Sequence, residues 1–63
     1  MIQFEQGKWV KIVSTEGKFA DLPAKDRKAF VVKIYDDGTA KLRTNSSKME
    51  FDGVSSLDCE KIL

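Results

Sequence analysis

The residue types that carry out covalent or metal chemistry are scarce in this chain of 63 residues, which has no histidine and one cysteine. Zinc sites of cysteine and histidine and triads built on histidine are therefore excluded. Cys59 has no second cysteine for an internal disulfide and no histidine to activate its thiol, so we interpret it as a small buried apolar residue. Asp36 and Asp37 precede Gly38, where adjacent acids are ordinary turn residues. We therefore predict a protein that is not an enzyme and has no metal or cofactor.

Aromatic and basic residues, in contrast, alternate with apolar residues along the predicted strands. If the apolar positions face a core, the outer face carries the candidate partner-binding residues Trp9, Lys11, Lys33, Tyr35, Lys41 and Arg43, with Lys48 beside them. Bases stack on aromatic rings while lysine and arginine neutralise phosphates, so this composition favours RNA or single-stranded DNA as a partner. The alternative is a solvated face without a partner, because alternating strands always expose one polar face.

The long segment between the first two predicted strands is a second candidate surface. Its candidate residues are Lys18, Phe19, Lys25, Arg27 and Lys28. Functional residues concentrate on long loops held by a rigid scaffold, so this loop is a candidate contact for an acidic protein or for phosphates. A charged surface linker, tethered by Phe19 and Leu22, is the simpler account. The formal net charge of +1 gives no strong indication of nucleic acid.

The elements that must position these residues are short antiparallel strands. Residues 7–13 and 29–35 alternate polar and apolar types, and a three-residue turn at 36–38 closes a hairpin onto residues 39–44. This register sets Lys33 opposite Lys41, a repulsive pair that an anion between them would relieve. A short Asn45-Ser46 turn then pairs Leu42 with Met49 and Ala40 with Phe51. The predicted inward residues are Val10, Ile12, Phe30, Val32, Ile34, Ala40, Leu42, Met49 and Phe51.

The order of predicted elements resembles the Src-homology-3-like small β-barrel, and the opening FEQGKWVKIV is similar to the opening strand of that fold. The nearest subgroup is the KOW motif, matched at Gly7, Val10, Ile12, Val13, Gly17 and Phe19. The second glycine of a KOW motif is replaced here by Ala20-Asp21-Leu22-Pro23. The resemblance implies an all-β, five-stranded antiparallel barrel with a long first loop and a short helical turn before the last strand. It implies no particular activity.

Length and composition complete the expectations. The length of 63 residues predicts one domain over residues 1–63, and we expect it to be monomeric when free. We predict a cytoplasmic protein, because the chain opens without a secretory pattern and contains no long apolar run. No membrane partner is expected. Two functions stay open: a non-enzymatic module that binds RNA or single-stranded DNA through the outer face, and a protein-interaction module that acts as an accessory subunit or inhibitor of a larger complex.

Overall fold

A computed structural model describes residues 2–62, and its strands form one antiparallel sheet. The five strands are β1 Trp9–Ile12, β2 Lys28–Ile34, β3 Ala40–Thr44, β4 Glu50–Val54 and β5 Cys59–Lys61, in the spatial order β4-β3-β2-β1-β5. Helical structure in this part of the chain is limited to 3₁₀ turns at Gly17–Phe19, Ala24–Asp26 and Ser56–Asp58. The all-β prediction is confirmed, together with the long first loop and the helical turn before the last strand. Within residues 2–62, no helix has the length and apolar character needed to cross a bilayer.

The core combines residues of the strands with residues of the flanking segments. Its buried hydrophobic residues are Phe4, Val10, Ile12, Phe19, Leu22, Ala29, Val31, Ala40, Leu42, Val54 and Cys59. The burial of Phe19 and Leu22 confirms that they tether the long loop. Phe4 closes the core from outside the sheet, and the sequence pattern does not reveal this, because Phe4 precedes the first alternating run.

The hairpin between β2 and β3 has the predicted turn. Gly38 adopts a φ of +87°, and the Tyr35 backbone N–H donates a 2.8 Å hydrogen bond to the Thr39 carbonyl. A positive φ at the last position of a three-residue hairpin loop favours glycine. Lys33 lies opposite Lys41, as predicted.

The first half of β2 differs from the prediction, because a β-bulge lies between Val31 and Lys33. A bulge adds one unpaired residue, so the strand changes the face that its side chains occupy. Val31, instead of Val32, therefore lies opposite Leu42 and is fully buried. Phe30 and Val32 are only partly buried, and the prediction that both point into the core was wrong.

The pairing of β3 with β4 also differs from the prediction. Leu42 lies opposite Phe51 instead of Met49, and Ala40 lies opposite Val54 instead of Phe51. The connection is longer than a two-residue turn and spans residues 45–49, so Met49 is exposed and lies outside the core. This longer loop is closed by the buried Thr44: its backbone N–H donates to the Met49 carbonyl, and its hydroxyl accepts from the Met49 N–H.

The bulge gives a matched pair of variants. Val31→Ala should lower the free energy of unfolding by about 1.5–3 kcal/mol, since it removes buried methyl groups and leaves a cavity. Val32→Ala removes the same atoms from a partly exposed site and should cost under about 1 kcal/mol. Urea unfolding followed by tryptophan fluorescence measures both values. A larger cost at Val32 than at Val31 would contradict the bulged register.

Lys48 in the β3–β4 loop adopts a φ of +58°, the left-handed region that favours glycine. Lys48→Gly should raise the free energy of unfolding by about 0.5–1 kcal/mol, because the steric cost of the side chain is relieved. Lys48→Ala keeps a Cβ atom at the same φ and is the matched control, expected within about 0.5 kcal/mol of the wild type. Equal gains in both variants would assign the effect to lost charge instead of backbone strain.

Candidate functional site

A row of side chains crosses the outer face of the sheet from β1 to β4. Trp9 lies opposite Phe30, Phe30 opposite Arg43, and Arg43 opposite Glu50. The rings of Trp9 and Phe30 pack edge to face, with centroids 5.2 Å apart and planes at 68°. The β2 bulge puts Phe30 on this face, so the misplaced core residue of the sequence prediction is the packing partner of the tryptophan.

Trp9 is the main exposed aromatic residue of this row, with 38% of its surface accessible. The Lys28 ammonium lies 5.0 Å from the indole centroid, a cation–π contact. Lys28 begins β2 and lies opposite Lys11 of β1, whose other neighbour across the strands is Glu60. Lys28, predicted as part of the loop surface, therefore belongs to the outer face beside Trp9.

The two cations on β3, Lys41 and Arg43, share one carboxylate within the sheet. Arg43 donates two hydrogen bonds to one oxygen of Glu50, at 3.1 Å from Nε and 2.7 Å from Nη2. Lys41 Nζ lies 3.5 Å from the other oxygen. The Arg43 hydrogen bonds, followed by the charge of Lys41, hold the pKa of Glu50 below its usual value. Two of the predicted binding cations thus share a carboxylate and contribute a net charge of only +1 at this position.

Tyr35 belongs to a separate cluster at the far end of β2. Four residues separate it from Phe30, which places the two roughly 15 Å apart along an extended chain. The Lys33 ammonium lies 5.5 Å from the Tyr35 ring centroid. The interaction between the Tyr35 hydroxyl and the Asp52 carboxylate raises the pKa of Tyr35 and lowers the pKa of Asp52. The outer face therefore has two aromatic centres, and Trp9 and Tyr35 do not form one continuous stacking surface.

Arg27 is tied into the fold by its own loop. The half-buried guanidinium donates hydrogen bonds to the backbone carbonyls of Ile12, Ser14 and Phe19, at 3.4 Å for Ile12 and 3.2 Å for Phe19. These bonds hold the start of the long loop against its end. The guanidinium predicted to contact a partner is thus occupied by internal carbonyls.

The other predicted loop residues do not form one surface. Phe19 is buried against Phe51, with ring centroids 5.1 Å apart, so it is unable to serve as the exposed contact that the loop hypothesis requires. The Lys18 ammonium donates a 2.7 Å hydrogen bond to the Asp52 carbonyl. Lys25 is exposed on the 3₁₀ turn Ala24–Asp26.

A cleft of about 580 Å³ lies beside Trp9 and was missed by the sequence analysis. We name it the Trp9 cleft; it is lined by Ile2, Gln3, Glu5, Gly7, Lys8, Trp9, Val10, Lys28, Lys61 and Ile62. Three of these residues are lysines, and none of the three belongs to an ion pair among residues 2–62. The pairing of β1 with β5 sets Lys61 opposite Val10 and brings the two ends of the described chain together. No local sequence signal predicts this arrangement.

Asp26 is a buried carboxylate that the sequence analysis did not single out. It accepts hydrogen bonds from the Ser47 backbone N–H at 2.7 Å and the Ser47 hydroxyl at 2.8 Å. The backbone bond is the main cause that lowers the pKa of Asp26, with Thr44 also contributing. Asp26 therefore fixes the long loop to the β3–β4 loop, a structural role.

The Cys59 thiol is buried and weakly acidic. Cys59 is buried, and desolvation, followed by the charge of Asp58, raises the pKa of its thiol to about 12. A thiol with such a pKa carries almost no thiolate at neutral pH and is a poor nucleophile. Across residues 2–62, no three carboxylate or thiol side chains come together as a possible metal site.

The lowered pKa of Asp26 predicts a pH-dependent stability. A carboxylate with a folded pKa below its unfolded value stabilises the protein above the unfolded pKa of about 3.9, and this contribution is lost as pH falls through the folded pKa. Asp26→Asn should therefore be much less stable than the wild type near neutral pH, and the difference should shrink below about pH 4. Urea unfolding across this pH range, with the exposed Asp21→Asn as control, measures it. A difference that is constant with pH would contradict the assignment.

Comparison with known proteins adds no relative to this picture. No protein-family model matches the chain, and neither a curated protein nor a solved structure gives a significant match. The KOW resemblance of the opening strand therefore stays a prediction.

Proposed function

We propose that this protein is a non-enzymatic binding module for RNA or single-stranded DNA, and that its contact surface centres on Trp9. One observation carries the proposal: the only tryptophan of the chain is partly exposed and lies beside lysines that have no ion-pair partner among residues 2–62. Of the outer-face residues predicted from the sequence, the proposal keeps Trp9 as the centre of the contact surface, and it adds the neighbouring end of β5.

The contacts of Trp9 suit a stacking role. Its edge-to-face packing on Phe30 fixes the orientation of the indole, so little side-chain entropy remains to be lost on binding. Lys28 lies over the ring in the free protein. A base that stacks on this ring displaces the Lys28 ammonium by a few ångströms, toward the phosphate of the same nucleotide. The same lysine thus stabilises both the free and the bound state.

The charges near Trp9 predict a modest, salt-dependent affinity. Lys8, Lys28 and Lys61 line the same cleft, while Glu5 is its only acidic residue. A single strand that neutralises three lysines releases about 0.7 counterions per phosphate contact, which gives a slope of about −2 for log affinity against log salt concentration. Lys41 and Arg43 contribute little to this slope, because Glu50 neutralises part of their charge.

A protein partner is the second candidate function, and exposed apolar residues on another part of the surface favour it. Leu57 is 70% exposed on the 3₁₀ turn before β5. Val13 is also exposed, and its backbone N–H donates to the carbonyl of Asp58, the neighbour of Leu57. A larger complex that docks here would leave Trp9 free. The two functions are therefore distinguished by whether a partner changes the signals of Trp9 or those of Val13 and Leu57.

Trp9 reports its own binding event, because it is the only tryptophan in the chain. Oligouridine and oligothymidine of about eight nucleotides, at about 50 mM salt, should quench its fluorescence. In anisotropy titrations with a labelled oligonucleotide, Trp9→Ala should weaken binding roughly tenfold or more, since stacking contributes about 1–3 kcal/mol per base.

Two lysine variants provide the matched comparison. Lys28→Gln should weaken binding and reduce the salt slope by about 0.7, the value for one lost phosphate contact. Lys41→Gln removes the same charge from a site paired with Glu50 and should change the affinity less than about twofold. Absence of binding at near-millimolar oligonucleotide would overturn the proposal. Amide shifts at Val13 and Leu57 with a captured protein would then support the second function.

A further inference from the structure

We infer that the Trp9 cleft takes a single nucleotide that carries a phosphomonoester, as at the phosphorylated end of a strand. This inference rests on the proposed function for the class of its ligand and adds which part of a strand is recognised. The cleft volume of about 580 Å³ lies in the range of about 300–1,000 Å³ typical of small-molecule sites.

The walls of the cleft are preformed by backbone contacts. The Lys8 N–H donates to the Glu5 carbonyl at 3.2 Å, and Gly7, with a φ of +82°, allows the tight turn that this bond closes. The Gly7 N–H donates to the Val31 carbonyl at 3.0 Å, which fixes the turn to β2. The buried Phe4 anchors the segment that precedes it. The turn that forms one wall of the cleft is therefore held against β2 before any ligand binds.

The lining of the cleft matches the two parts of a nucleotide. Trp9, Ile2 and Ile62 supply apolar surface for a planar base. Lys8, Lys28 and Lys61 line the cleft from three separate segments: the residue before β1, the start of β2 and the end of β5. Of the three, the Lys28 ammonium lies directly at the Trp9 ring. Residues from several elements that line one cleft, with a few polar groups among apolar ones, are typical of a binding site.

The charge balance favours a phosphomonoester over the phosphodiester of a strand interior. Three lysines and Glu5 give the cleft a formal charge of +2. A phosphomonoester carries about −1.5 to −2 at pH 7, whereas each internal phosphodiester carries −1. A terminal nucleotide thus neutralises the cleft with one phosphate, while an internal nucleotide would need its neighbours in the cleft as well.

The direct test compares oligonucleotides of the same sequence with a 5′-phosphate, a 3′-phosphate or no terminal phosphate. One of the phosphorylated forms should bind about threefold to tenfold more tightly than the unphosphorylated form, as expected when a further charge of about −1.5 to −2 meets exposed lysines. Lys61→Gln and Lys8→Gln should remove this advantage. Lys41→Gln, outside the cleft, should keep it.

The pH dependence of this advantage provides an independent readout. The second pKa of a phosphomonoester is near 6, so the advantage should fall between about pH 7 and pH 5. The chain has no histidine, the side chain that ordinarily titrates in this range, so a change there reports the ligand. Uridine monophosphate should also quench Trp9, whereas uridine should need at least about tenfold more ligand.

The outcomes separate this inference from the proposed function. Equal binding of all three oligonucleotides would overturn the terminal-phosphate site and leave the binding module intact. Binding of none would overturn both. If inorganic phosphate reproduces the amide shifts of Lys8 and Lys61 as strongly as uridine monophosphate, the base takes no part and the inference is wrong. An acidic peptide that competes as well as the mononucleotide would also overturn it.

Discussion

The extra residue in β2 decides which faces of the sheet Phe30 and Val31 occupy. The bulge at Val32 lets Val31 fill the core opposite Leu42, while the turn-proximal half of the hairpin keeps its own register. The same extra residue turns Phe30 outward, where its ring holds Trp9. Without the bulge, Phe30 would enter the core and the tryptophan would lose its packing partner. A local irregularity of the backbone therefore links the packing of the core to the geometry of the candidate site.

Hydrogen bonds of polar side chains hold the long loop against the sheet, because a chain of this size has few apolar residues. Arg27, at the end of the loop, satisfies the backbone carbonyls of Ile12 and Ser14 at its start and of Phe19 in its middle, and the adjacent Asp26 satisfies Ser47 of the β3–β4 loop. Buried polar groups stabilise a fold only when their hydrogen bonds are made, and no buried side-chain nitrogen or oxygen among the described residues lacks a partner. The charges of Arg27 and Asp26 serve the fold in this way and are not free for a partner.

The distribution of carboxylates divides the basic residues into two groups. Glu50 neutralises part of the charge on β3, and the Asp52 carboxylate interacts with the Tyr35 hydroxyl at the end of β2. Glu5 is the one acidic residue that lines the Trp9 cleft beside its three lysines. A net charge of +1 for the whole chain conceals this local excess, because carboxylates elsewhere in the sequence offset the charge of the cleft lysines. Local charge balance, more than the total charge, indicates where an anion binds.

The sequence by itself determined the all-β class, the inward face of β1 and the turn that ends at Gly38, because alternation and turn chemistry act over a few neighbouring residues. Only the tertiary structure decided the Val32 bulge, the register of β3 with β4 and the cleft that brings Lys8 and Lys61 to Trp9. These features depend on how distant strands match one another across hydrogen bonds and packed side chains. The sequence of each strand shows its own alternation of polar and apolar residues. It does not show which register two strands adopt when their alternations do not match.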